Sequence, residues 1–84
     1  MKKLLNEEYN ILNKIASKSK MDCWFSLGVD KDGNDIVLDL EENKKMPLEI
    51  GIATLYDGMT SINDYGLTDK EKNVFVNLLI KLEI

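Results

Sequence analysis

The stretch closest to a chemical motif is Asp30-Lys-Asp-Gly-Asn34 together with Glu41. Asp30, Asp32, Asn34 and Glu41 fall at positions 1, 3, 5 and 12 of a twelve-residue calcium loop, with Val37 at position 8. That spacing can gather side-chain oxygens around a hard cation. The other groups offer less. Glu41, Glu42 and Asp64 have the chemistry for acid–base work, but no spacing draws them into one cleft. Cys23 is the single cysteine, and alternation along its strand places it on the inward face, where a thiol behaves as a small hydrophobe. There is no histidine to act as its base, and no glycine-rich phosphate loop is present.

The calcium pattern resembles an EF-hand loop only over residues 30–41, and it departs from that loop at informative places. Position 6, where a glycine makes the sharp turn, is Asp35, and position 9 is Leu38. Residues 36–40 alternate as a strand, and no helix pattern enters over 21–29. Asp-Lys-Asp-Gly-Asn is also a good turn sequence. The expectation is a hairpin with no metal, no cofactor and no catalytic residue; weak calcium binding through Asp30, Asp32, Asn34 and Glu41 is the alternative.

Absent residue types narrow the function classes. Without histidine the chain lacks the commonest acid–base group, so it is not expected to be an enzyme. Without arginine it lacks the preferred bidentate reader of guanine and phosphate, which weighs against a nucleic-acid-associated regulator. The net charge of -4 is uneven. Residues 1–20 hold five lysines against two glutamates, whereas residues 21–45 and 46–84 are both acidic. Eighty-four residues with 44% hydrophobic content predict one domain over 1–84 with a modest core. No run is long enough to span a membrane, and Asn6, Glu7 and Glu8 interrupt any signal-peptide stretch after Met1-Lys-Lys-Leu-Leu5. The expected location is the cytoplasm, which a lone cysteine suits.

The elements that must hold these residues follow from periodicity. Cys23, Phe25, Leu27 and Val29 alternate with Trp24, Ser26 and Gly28, while Ile36, Leu38 and Leu40 alternate with Asp35, Val37 and Asp39. This predicts a two-stranded antiparallel hairpin over about 23–29 and 35–40. A two-residue Asp32-Gly33 turn would pair Val29 with Ile36, Leu27 with Leu38 and Phe25 with Leu40, all on one apolar face. Helices are expected over about 7–17, capped by Asn6, over 47–57, opened by Pro47, and over 69–82, where Thr68 and Glu71 form a capping box. Glu41–Lys45 reads as a polar connector, Gly51 as an internal cost that permits close packing, and Ile62 and Tyr65 as loop anchors. The fold class is α+β, in the order α-β-β-α-α.

In that register Trp24 and Val37 lie opposite the apolar face. Tryptophan is enriched in interface cores, so this pair marks a protein-partner face, for a heterologous partner or a homodimer. The functional expectation is a small acidic protein-binding, regulatory or inhibitory factor that acts by contact.

Overall fold

The computed structural model describes residues 3–84. Met1 and Lys2, where the signal-peptide reading begins, lie outside the described residues. The elements are α1 (Asn6–Lys18), β1 (Phe25–Val29), β2 (Asp35–Asp39), β3 (Lys44–Pro47), α2 (Leu48–Asp57), a short 3-10 turn (Ile62–Tyr65) and α3 (Asp69–Lys81). The molecule is a small α+β domain. The two-stranded hairpin and the order α-β-β-α-α are corrected: among the described residues the sheet has three strands, β1-β2-β3, and the 3-10 turn is a further helical piece.

The third strand takes in Lys44 and Lys45, the end of the stretch read as a connector, and Met46-Pro47, read as a helix start; α2 begins one residue later, at Leu48, with Pro47 as its N-cap. The Asp39 carboxylate accepts hydrogen bonds from the Glu41 and Glu42 amides, each at 3.0 Å, and so closes the turn out of β2. Asn43 then takes a left-handed backbone, φ 52°, which asparagine tolerates better than most residues. Lys44–Pro47 therefore returns antiparallel to β2, pairing Asp39 with Lys44 and Val37 with Met46.

The hairpin register is also corrected. Val29 pairs with Asp35, Leu27 with Val37 and Phe25 with Asp39, one residue from the expected pairing. The turn is the cause. The Gly33 amide donates to the Asp30 carbonyl at 3.1 Å, and the Asp30 amide donates to the Asn34 carbonyl at 2.9 Å. Gly33 sits at φ 84°. This is a three-residue connection ending in a left-handed glycine, not a two-residue turn, and the extra residue shifts every pair.

Because side chains alternate, the shift exchanges the faces of β2. Phe25, Leu27, Val37 and Met46 point to the helices, and Val37 is 0% exposed. The α2 helix lies directly over it. A methyl at Gly51 would overlap Val37 Cβ and Cγ2, so the glycine sets the distance between helix and sheet. Leu12, Ile15, Ile52, Leu55, Phe75 and Leu78 are among the helix residues that fill the core. Ion pairing between Lys14 and Glu71 at 3.5 Å joins α1 to α3.

Helix ends follow local chemistry. In α3 the Thr68 hydroxyl accepts from the Glu71 amide at 3.1 Å, and the Glu71 carboxylate accepts from the Thr68 amide at 2.9 Å, closing the capping box. At α1 the cap is not Asn6, which lies inside the helix; the N-cap is Leu5, whose amide donates to the buried Glu8 carboxylate at 2.8 Å. The 3-10 turn is pinned by Tyr65, buried, whose hydroxyl accepts from the Thr60 amide at 2.9 Å.

Candidate protein-binding surface

The residues that resembled a calcium loop are divided between two ends of the hairpin. Asp30 is engaged in its own turn: one carboxylate oxygen accepts from the Asp32 and Asn34 amides, each at 2.9 Å, and the other from the Asn34 side chain at 3.3 Å. The Asn34 amide foremost, with its side chain and the other turn amides behind it, holds the Asp30 carboxyl below the usual aspartate range. Glu41 lies at the far end of β2, 3.9 Å from Cys23 Sγ. Among the described residues no three acid or cysteine side chains converge as a metal site would require.

Cys23 is corrected from inward to exposed. It belongs to the turn ahead of β1, where strand alternation does not apply, and its thiol donates to the Lys20 carbonyl at 3.4 Å. The remaining acids have separate roles. Glu42 pairs with Lys44 at 2.6 Å, raising the Lys44 ammonium above the usual lysine range, and Asp64 accepts from the Thr60 hydroxyl at 2.7 Å. Two of the three α3 lysines also face acids: Lys72 lies 3.9 Å from Asp69, and Lys81 lies 3.5 Å from the buried Glu8.

The expected Trp24–Val37 surface is not a continuous face. Val37 is wholly buried beneath α2. Trp24 is half-buried in the turn before β1, its ring edge-on to Phe25 at 5.6 Å and packed against the core. What lies on the side of the sheet away from the helices is different. There β1 presents Ser26 and Gly28, β2 presents Ile36 and Leu38, and β3 presents Lys45 and Pro47, with Leu40 just beyond β2. None of these side chains belongs to the helix-lined core. Leu38 leans across β1 onto Gly28, where a Cβ would stand 2.8 Å from its Cδ1. Leu40 is 56% exposed, and an open depression of about 170 Å³ runs between Leu38, Leu40 and Lys45.

The slip of one residue hid this surface from sequence reasoning, which assigned Ile36, Leu38 and Leu40 to the interior. The informative signal was the number of residues in the Asp-Lys-Asp-Gly-Asn turn, which alone decides the faces. A second exposed apolar pair, Val76 and Ile80, lies one helical turn apart on α3, a smaller feature of the kind common on protein surfaces. A groove of about 210 Å³ between α1 and α3 is lined by Ile11 and Val74 as well as by Glu7, Asn10, Lys70 and Glu71, and its Glu71 is already held in the cap and by Lys14. No protein-family model, curated protein or solved structure matches the chain.

Proposed function

We propose that this protein is a small binding factor that acts by contact with another protein, through the outer face of its sheet. The observation carrying the reading is the one-sided packing. Phe25 and Val37, with Leu27 and Met46 beside them, point into the helix-lined core, while Leu38, Leu40 and Pro47 face away from the helices beside Ile36, the one buried side chain of that face. An apolar strip with charged neighbours, here Lys45, Lys44 and Glu42, has the anatomy of an interface core and rim. Contact without turnover agrees with the side-chain chemistry: Asp30 is engaged in its turn, Glu71 in its cap and Glu42 in an ion pair, and Cys23 has no imidazole base.

The test is affinity capture from the native host with wild type and Leu40→Asp side by side. Leu40 is more than half exposed, so the variant is expected to melt within about 0.5 kcal/mol of wild type. Its affinity for the captured partner is expected to fall by about 2 kcal/mol or more, as at an interface hot spot. A partner held equally by both proteins would remove the outer face from the account.

A further inference from the structure

The two edges of the sheet are built differently. In β1–β2 the Asp30 amide bonds to the Asn34 carbonyl and the Leu40 amide to the Trp24 carbonyl. Hydrogen-bonded pairs alternate in an antiparallel ladder, so 26/38 and 28/36 are bonded pairs as well, while 25/39, 27/37 and 29/35 are not. The amides and carbonyls of Leu27 and Val29 therefore point away from β2, to the open side of β1. Among the described residues no hydrogen bond takes them up. The same alternation turns 37/46 and 39/44 toward each other and leaves only Lys45 and Pro47 facing out along β3.

A lysine and a proline are two of the devices that keep an edge strand from pairing with another chain. The β3 edge has both. The β1 edge, Phe-Ser-Leu-Gly-Val, has neither, and Val29 is 55% exposed. Its far side is low, since Ser26 and Gly28 are small and Leu38 reaches over Gly28 toward the edge. A strand laid along β1 would meet Leu38 with its outward side chains and so extend the apolar face.

The charges at the ends of β1 select the occupant. One end carries Asp22 and Glu41 against Lys20, and the other carries Asp30 and Asp32 against Lys31. A second copy pairing antiparallel would set one acidic end against the other. An extended segment with basic ends would complement both. The geometry points to strand addition at β1: the partner contributes an extended segment of about five residues, apolar at alternate positions and flanked by lysine or arginine, to the open edge. This rests on the protein-binding reading and adds its mode.

The experiment follows amide exchange by NMR on the full chain, with a synthetic peptide of alternating valine and threonine between paired lysines as the probe. The same peptide with paired glutamates is the control. The lysine-ended peptide is expected to slow exchange at Leu27 and Val29 at least about ten-fold, with Ser26 and Gly28 little changed because they already bond to β2. The glutamate-ended peptide is expected to bind at least about ten-fold more weakly, by the charge argument. Val29→Pro removes an outward amide without breaking the ladder and is expected to abolish protection at Leu27; Val29→Lys, which adds a charge at the edge and preserves the strand, is expected to weaken the lysine-ended peptide. Wild-type binding by both variants would overturn strand addition, as would protection that appears without peptide and rises with protein concentration, which assigns the edge to a second copy. Shifts confined to Leu38 and Leu40 would also end it while leaving the outer-face reading standing; that reading fails separately, through the Leu40→Asp capture.

Discussion

Gly51 is the residue on which the spacing of the two layers turns. Its missing side chain lets α2 approach Val37 to backbone distance. Gly51→Ala improves helix propensity by about 1 kcal/mol, yet the new methyl meets Val37 Cβ, which cannot swing aside. Overpacking costs about 1–3 kcal/mol, and a methyl overlapping the Val37 Cβ belongs in the upper part of that range, about 2–3 kcal/mol, so a net destabilisation of about 1–2 kcal/mol is expected; a denaturant midpoint equal to or above wild type would contradict the close approach. Two half-buried carboxylates contribute to the acid response. Asp30 is depressed chiefly by the Asn34 amide, and Glu71 chiefly by the Thr68 amide with help from Lys14. A carboxyl whose folded value lies below its unfolded one stabilises fully above the unfolded value and loses that contribution as pH falls through the folded one. Thermal melts are therefore expected to fall as pH drops below about 4, less steeply in Asp30→Ala than in wild type, with the two proteins converging at the acid end. Parallel curves would show that the turn does not hold Asp30 in this way.

At the scale of elements, two helices end on left-handed residues that are not glycine. After α1, the Met21 amide donates to the Ala16 carbonyl at 2.8 Å and the Lys20 amide to the Ser17 carbonyl at 3.2 Å, with Lys20 at φ 59°. The end of α3 repeats the arrangement through Ile84, Leu79 and Glu83. This is the Schellman pattern, in which glycine usually occupies the left-handed position. Lys20→Gly is expected to raise stability by about 0.5–1 kcal/mol, the relief of left-handed strain less the added chain entropy; a lower melting midpoint would contradict that geometry. These ends explain what was legible in the sequence. Thr68 and Glu71 announced the start of α3 because a capping box is written in side chains three residues apart. The turn at Lys20 carries no such mark. Strand β3 was missed because Lys44 and Lys45 read as the end of a polar connector and Met46-Pro47 as a helix start; only Met46 of its four residues packs on the core, too few to show alternation. The register failed for a more general reason: Asp-Gly serves both two- and three-residue turns, and the Asp30 carboxylate, by binding the amides of Asp32 and Asn34, favours the longer one.

Among the described residues, helices pack on one face of the sheet and leave Leu40 and Pro47 exposed and Leu38 half-buried on the other, and both proposals depend on which β2 residues lie on which side. With Val37 inside, Leu38 and Leu40 belong to the outer strip and Leu27 and Val29 present their backbone to the open edge. With the pairing expected from a two-residue turn, Val37 would be outside and the proposed surface would be core. Core truncation offers a first check: Val37→Ala is expected to cost about 2 kcal/mol of stability, against a near-neutral Leu40→Ala. The most direct measurement is the set of cross-strand α-proton contacts by NMR. In an antiparallel pair the α-protons approach closest at non-hydrogen-bonded positions, where the α-carbons are about 4.5 Å apart. The account predicts strong contacts between Leu27 and Val37 and between Phe25 and Asp39. Contacts linking Val29 to Ile36 or Leu27 to Leu38 instead would return Leu38 to the interior and contradict the surface on which the proposed function rests.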